Sequence, residues 1–452
     1  MKKISFAQFI TDNFNSGNFI EMANLIDLLN INRLEHSIIR TIAISCYKIK
    51  KHDKCIELIE FLTIQNSADY YLYELLADCY YAINDIDASL VAYETALKLN
   101  PKLIAAKFKY TVLYYRKTKH IEPAALDKIE SIAQSRNNMT WLRIVSYIQY
   151  SQKQYDRALN NLLTFIESDA KVYSIDYFTV SKIYKLLGHN NEELRYRLLY
   201  QQTTFFYDFH PEGRSNLLIT LSPSSSFILK KYPYSADRLN IIDNSFSYYF
   251  LSFELITDYI CKLVGDYKYS KLSIVGSSKA ATGVILLLNK LQEILPDMTI
   301  TAVACSPQIT IYPFNTNLQI PSYQNMMELV QINSSLEKYF HKNQNSIQFN
   351  IKNPNTLHIF YGGKFKMDSM EVSKIKSNSS SVQIIKLDYS GHGSLLPLTI
   401  PENKTLDDLK KTYAKLDVDA DFNALGGNNL VSIVDEIFTI YQNPTMKLKN
   451  FL

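Results

Sequence analysis

The stretch KLSIVGSSKAATGVILLL, Lys271 to Leu288, decides how the second half of this chain folds. Leu272 to Val275 is an apolar run of strand length. Gly276-Ser277-Ser278-Lys279-Ala280 spells a sharp turn, and Ala281 to Leu288 suits a buried helix. A serine at the apex of a strand, turn and helix, with small residues two before and two after it, is the arrangement of a nucleophile elbow, G-x-S-x-G. The turn forces the serine into a strained backbone conformation and lifts its hydroxyl out of the sheet. Bulky neighbours would strike the helix. Gly276 and Ala280 are the small residues around Ser278, with alanine where glycine is usual.

Outward from the elbow, strands alternate with helices from Asn216 onward. Strands are predicted at Leu217 to Leu221, Leu239 to Ile242, Leu272 to Val275, Met298 to Ala304, Leu357 to Tyr361 and Val382 to Leu387. Helices are predicted at Phe250 to Leu263, from the elbow to about Ile294, and near Leu406 to Lys415 and Leu430 to Tyr441. The alternation predicts a mostly parallel, doubly wound sheet. In such sheets chemistry gathers at the carboxyl ends of strands. Three candidates fall there in order: Ser278, then Asp368 after Gly362-Gly363-Lys364, then His392 within Ser390-Gly391-His392-Gly393. The order Ser, Asp, His is that of the α/β-hydrolases. Taken alone, Asp368 could cap a helix and His392 could be an ordinary loop histidine.

The roles follow from acid–base chemistry. A serine hydroxyl is a poor nucleophile at neutral pH, so His392 would take its proton and return it to the leaving group. Asp368 would fix the imidazole tautomer. An oxyanion needs two fixed donors: the backbone N–H of Lys279, and one from the polar loop Ser222 to Ser226, with Ser224 or Ser225 as candidates. Arg214, Lys230, Lys231, Arg238, Lys364 and Lys366 could line a groove for an anionic substrate, and Lys364 and Lys366 lie nearest Asp368 in sequence. Ordinary surface solvation is the alternative for each.

Residues 1 to about 200 are helical in periodicity and poor in glycine and proline. In Tyr70 to Pro101, Tyr73, Leu76, Ala77 and Tyr80 share one helix face, Asn84-Asp85 marks a turn, and Tyr93 and Ala96 follow on a second helix. This unit resembles a tetratricopeptide repeat, in which small residues let paired helices approach and large ones fill the groove. Weaker copies flank it, one with Trp141 and Ala158, another with Tyr184 and Gly188 before a second helix at Glu192 to Leu199. The expected organisation is a repeat domain over 1–204 and an α/β-hydrolase-like domain over 205–452. The polar segment Gln201 to Asn216 reads as the irregular boundary.

Charged residues make up 20% of the chain and hydrophobic ones 47%, which excludes a disordered chain. The net charge of +4 is spread with mixed signs, so no basic face for duplex nucleic acid is expected. No run reaches the roughly 18 apolar residues of a membrane span, and MKKISFAQFITDNFN lacks the apolar core of a secretory signal. The odd set of cysteines, Cys46, Cys55, Cys79, Cys261 and Cys305, has no C-x-x-C pair and suits free thiols in a reducing compartment. The expectation is a cytoplasmic protein. No metal is expected, since His210, His341 and His358 lack partners at ligand spacing.

A helical first half followed by GSSKAA, YGGKFKMD and SGHGS resembles the bacterial capsule O-acetyltransferases that modify polysialic acid, of the serogroup C meningococcal type. The resemblance implies acetyl-CoA as acetyl donor, an acetyl-serine at Ser278, and transfer to a sialic acid hydroxyl with His392 as base. It further implies work beside a membrane-associated capsule assembly complex, and the repeats suggest a homodimer. A carbohydrate or carboxyl esterase with the same triad is one alternative. A non-catalytic repeat partner protein of a surface-glycan or accessory-secretion pathway is another.

Overall fold

The computed structural model describes the chain except residues 1–5, 26–29, 231, 233, 316, 317, 319, 377, 378, 416–426 and 442–445, so Lys231 lies outside the described residues. Packing divides the chain into two compact units. One comprises residues 1–168 and 316–333, the other 169–315 and 334–452.

The first unit is built from helix pairs: α1 (Phe6–Asn15) with α2 (Phe19–Leu25), α3 (His36–Lys48) with α4 (His52–Ile64), α5 (Tyr70–Ala82) with α6 (Ile86–Leu99), α7 (Ile104–Thr118) with α8 (Pro123–Ser135), and α9 (Met139–Ser151) with α10 (Tyr155–Ile166). Side chains start several of these helices by accepting an otherwise unpaired N–H: Asp69 from Leu72, Asp85 from Ala88, Asn138 from Trp141. The turn inside each pair holds one residue with positive φ: Gly17, Lys50, Asn84, Lys119 and Lys153. Gly188 does the same between α11 (Ser174–Leu187) and α12 (Asn190–Thr203). The spacings are 33, 34, 35, 34 and 35 residues, the period of a tetratricopeptide-like repeat. Ala77 and Ala96 are fully buried where α5 meets α6, as their size requires. Trp141 stacks flat on Phe108, ring centres 4.3 Å apart.

The pair α11/α12 continues the repeat in sequence but belongs to the second unit, so the break falls at 168/169 rather than 204/205. Hydrogen bonds explain the difference. Ser174 Oγ donates to the Asn244 carbonyl, Asn244 N–H to Thr204 O, and Tyr200 OH to Leu251 O. These tie α11/α12 to the loop that follows the third strand.

The second unit holds a seven-stranded sheet: β1 (Phe205–His210), β2 (Asn216–Ser222), β3 (Asp237–Asp243), β4 (Lys271–Ser277), β5 (Thr299–Cys305), β6 (Thr356–Gly362) and β7 (Val382–Leu387). The strand order is β1-β3-β2-β4-β5-β6-β7. All neighbours are parallel except β1, which runs antiparallel to β3. β1 lies where the sequence suggested an irregular boundary. It is an edge strand of mixed polarity, FFYDFH, and so lacks the apolar run of a central strand. Further helices are α13 (Phe253–Tyr267), α14 (Lys279–Ile294), α15 (Pro321–Ile332), α16 (Ser334–Lys342), α17 (Lys366–Val372), α18 (Leu396–Thr399), α19 (Leu406–Lys415) and α20 (Gly427–Ile440). The chain winds one way from β2 to β3, then the other way from β4 to β7. The order reverses between β2 and β4, and a crevice opens at such a switch point. Among the described residues no helix is long and apolar enough to cross a membrane.

The left-handed turn residues carry a stability consequence. Lysine at φ 62 (Lys153) bears a steric cost that glycine does not. Lys153→Gly should raise unfolding stability by about 0.5–1 kcal/mol. An unchanged or lowered midpoint in chemical denaturation would count against this account of the turns.

Candidate active site

Ser278 sits between the end of β4 and the start of α14 with φ 55 and ψ −130, outside the regions an L-residue prefers. Conformations of this kind cost on the order of 1–3 kcal/mol and persist only where neighbours enforce them. Two contacts do so. The Ser278 N–H donates to the Cys305 carbonyl at the end of β5 (2.8 Å), and the Ala281 N–H donates to the Ser278 carbonyl (2.8 Å). A Cβ on Gly276 would meet the Ala280 carbonyl oxygen at 2.7 Å and its carbon at 2.8 Å, so only glycine allows the helix to start so close to the strand.

His392 lies in the loop after β7 and Asp368 on the first turn of α17 after β6. His392 Nδ1 is 2.6 Å from Asp368 Oδ1, and His392 Nε2 is 2.8 Å from Ser278 Oγ. The Asp368 carboxylate is 2% exposed and the imidazole 16%, so both work largely out of water. A carboxylate on Nδ1 fixes the proton there and leaves the Nε2 lone pair facing the serine hydroxyl. The structure therefore brings together the three residues named from sequence. Asp368 is not a helix cap, since that position is held by Phe365.

The loops that carry these groups are fastened to one another. Gly362 closes β6, and a Cβ there would meet the Gly391 carbonyl at 2.5 Å, so the histidine loop passes directly over it. Ser306 Oγ donates to Ser394 Oγ (2.7 Å), and Ser394 Oγ to the Phe360 carbonyl (3.2 Å). Two further residues escaped the sequence reading. Gln308 donates through its side-chain amide to the Ser306 carbonyl (3.0 Å) and lies 3.3 Å from His392 Nε2. Glu371, one turn beyond Asp368, is buried and accepts from the N–H groups of Ile309 (2.9 Å) and Thr310 (3.0 Å) and from Asn315 Nδ2 (2.8 Å). It thereby pins the segment that carries Gln308. The signal for Glu371 was its spacing of three from Asp368; Gln308 had none.

Of the oxyanion candidates, the Lys279 N–H belongs to the first turn of α14, where helix amides have no intrahelical partner. Leu221 pairs with Gly276, so the loop holding Ser224 and Ser225 leaves β2 beside the elbow. Ser222 Oγ accepts the Ile228 N–H (2.9 Å), Ser224 Oγ accepts the Ser226 N–H (3.4 Å), and Ser225 is exposed. Tyr249 supports this loop, donating its hydroxyl to the Ser222 carbonyl (2.8 Å), while its own N–H binds Asp243 Oδ2 (3.1 Å). Burial pushes the Lys279 ammonium below its ordinary pKa, Asp243 opposes the shift and Lys171 adds to it.

The basic groove resolves largely into ion pairs. Lys364 binds Asp388 (2.6 Å), Lys230 binds Asp208 (3.2 Å), and Arg214 and Arg238 share Glu212. Lys366 is exposed at the start of α17.

No protein-family model matches the chain, and no curated protein matches it. Among solved structures it is similar to tetratricopeptide-type proteins. MamA of AMB-1 is 14% identical, with a TM-score of 0.34 over 37% of this chain and 98% of that one. The C-terminal part of a TPR repeat-containing protein from Cytophaga hutchinsonii is 14% identical, with a TM-score of 0.35 over 43% of this chain and 76% of that one. A MamA from Desulfovibrio magneticus RS-1 is 9% identical, with a TM-score of 0.33 over 37% of this chain and 94% of that one. The identification with capsule polysialic-acid O-acetyltransferases is therefore corrected. The neighbours are repeat proteins, and no matched family or curated protein carries that activity. The assignment as an acetyl-CoA-dependent polysaccharide O-acetyltransferase falls with it. Acetyl-CoA and polysialic acid rested on that resemblance alone.

Glu371→Ala should destabilise the second unit by about 2–4 kcal/mol, because three half-buried donors lose a charged acceptor at once. Denaturant unfolding reads this directly, and a loss below 1 kcal/mol would refute the pinning role.

Proposed function

We propose that this chain joins a partner-binding, tetratricopeptide-like repeat unit to a Ser278–His392–Asp368 site competent for carboxyl-ester cleavage. The observation that carries the second half is the hydrogen-bonded relay: Asp368 to His392 at 2.6 Å and His392 to Ser278 at 2.8 Å, on a strained elbow. The strand order supports an α/β-hydrolase-like arrangement, with an antiparallel strand at one edge and the three groups after β4, β6 and β7.

In this reading Ser278 Oγ attacks an ester carbonyl while His392 Nε2 takes its proton. The Lys279 N–H and an N–H from Ser224 or Ser225 meet the oxyanion. The alcohol leaves with the proton from His392, and water then releases the acid from the acyl-serine by the same route. Lys364 and Lys366, four and two residues before Asp368, are the side chains proposed to meet an anionic substrate. A non-catalytic partner protein is a second reading. It is supported by a cavity of about 810 Å³ within the repeat unit, lined by residues that include Asp78, Lys109, Arg116 and Trp141.

The test is hydrolysis of p-nitrophenyl acetate and butyrate, with labelling by a fluorophosphonate. Wild type should turn over at least one of these and be labelled at Ser278. Ser278→Ala should lose the turnover by at least about 10³-fold, and Asp368→Asn should fall by about 10⁴-fold through the wrong histidine tautomer. No labelling and no Ser278-dependent turnover would overturn the catalytic half and leave the partner reading. That reading expects Ser278→Ala to complement a deletion strain fully while Trp141→Ala does not.

A further inference from the structure

Among the described residues, the first unit contains one α-helix that is not part of the repeat. The chain leaves the second unit after residue 315, contributes residues 316–333 to the first, and returns at 334. The helix it delivers is α15. It packs against α7 and α9, first helices of two successive pairs. Its polar contacts come from the C-terminal ends of α5, α7 and α9. Gln324 Nε2 donates to the Ala82 carbonyl (3.2 Å). Tyr81 OH donates to Glu328, and Arg116 Nη1 donates to Tyr81 OH (3.0 Å) and faces Glu328 Oε1 at 3.8 Å. Arg116 Nε donates to Gln331 Oε1 (3.0 Å).

Gln324, Glu328 and Gln331 are spaced four and three apart, so they share one face of the helix. The repeat also completes the helix end. Lys119 Nζ donates to the Gln331 carbonyl (2.6 Å) and Ser151 Oγ to the Ile332 carbonyl (2.8 Å), two acceptors that a helix terminus leaves open. Arg116 is 8% exposed, and burial pushes the Glu328 carboxyl up to about 7. A polar ladder of this kind is a recognition surface, because an unpaired Arg116 or Glu328 left in the same place would be strongly destabilising.

The geometry points to a helix-docking surface on the first-helix side of the repeat, occupied in cis by α15. The partner it fits is a helix with one carboxylate flanked by carboxamides four residues before and three after. This inference rests on the reading of the repeat unit as partner-binding and deepens it. An incoming helix exchanges with α15 on Tyr81, Arg116 and Lys119, and the cavity beside α15, which Glu328 also lines, gives it room to enter.

The probe is a fluorescein-labelled peptide of residues 320–333, IPSYQNMMELVQIN, read by anisotropy with the full chain. Wild type, its surface filled, should bind weakly. A variant carrying Gln324→Ala, Glu328→Ala and Gln331→Ala should bind at least tenfold tighter, and adding Arg116→Met should abolish the gain. Equal binding by wild type and the triple variant, or no binding by a triple variant with native circular dichroism, would overturn the proposal. Should the triple variant not fold, hydrogen exchange on wild type decides. Excess peptide should speed exchange of the 321–332 amides, and unchanged exchange at saturating peptide would overturn it. Failure here is distinct from failure of the partner reading, which is scored by complementation with Trp141→Ala and not by exchange of α15.

Discussion

The arrangement of the second unit depends on how closely α14 can begin after β4. The helix carbonyl at Ala280 passes the Gly276 Cα at a distance that leaves no room for a Cβ. This closeness holds Ser278 at positive φ and aims its hydroxyl away from the sheet. A serine one residue earlier, Ser277, is buried in the strand and has no such freedom. The strain is confined to one residue and is balanced by a large apolar helix, since almost every residue of α14 from Ala280 to Gln292 is buried. The geometry of the elbow is thus a by-product of helix-on-sheet packing, with burial of the order of 1.5–3 kcal/mol per large apolar side chain offsetting a local cost of similar size.

The histidine is positioned by a loop and the aspartate by the first turn of α17, and the loop needs fastening. Gly362, Ser306 and Ser394 bring the histidine loop against the ends of β5 and β6, and Glu371 fastens the segment after β5. Asp368 and Glu371 stand one turn apart on α17 and divide the labour: one carboxylate addresses the imidazole, the other backbone and amide donors and the Lys374 ammonium.

Much of this site was legible in the sequence because its requirements are local. A sharp turn between strand and helix demands small residues, and Gly276 and Ala280 supply them. Chemistry at strand ends follows from sheet topology, which places Ser278, Asp368 and His392 once the strands are counted. The remainder depends on contacts that no local pattern encodes. Gln308 sits in the irregular stretch directly after β5, which carries no periodicity to align it. β1 was missed because an edge strand has only one paired side and tolerates polar residues. The boundary was misplaced because the repeat period continues through α11 and α12 without marking which body the last pair joins. The triad motifs, matched by order and spacing, suggested a family that the comparisons do not support. Motif order reports the needs of a reaction and does not identify the protein that uses it.

The division of the first unit between residues 1–168 and 316–333 has a consequence for synthesis on the ribosome. The repeat emerges first, yet the helix that covers Arg116 and Tyr81 follows about 150 residues later. At typical elongation rates that interval is roughly 7–30 s. During it the repeat has folded neighbours but an uncovered guanidinium face, open to any acidic helix present on the nascent chain or in its surroundings. Vectorial order therefore makes the last-arriving segment the one that completes the first-made unit. The sheet strands β2 to β5 must emerge and begin to associate before the repeat reaches its final state.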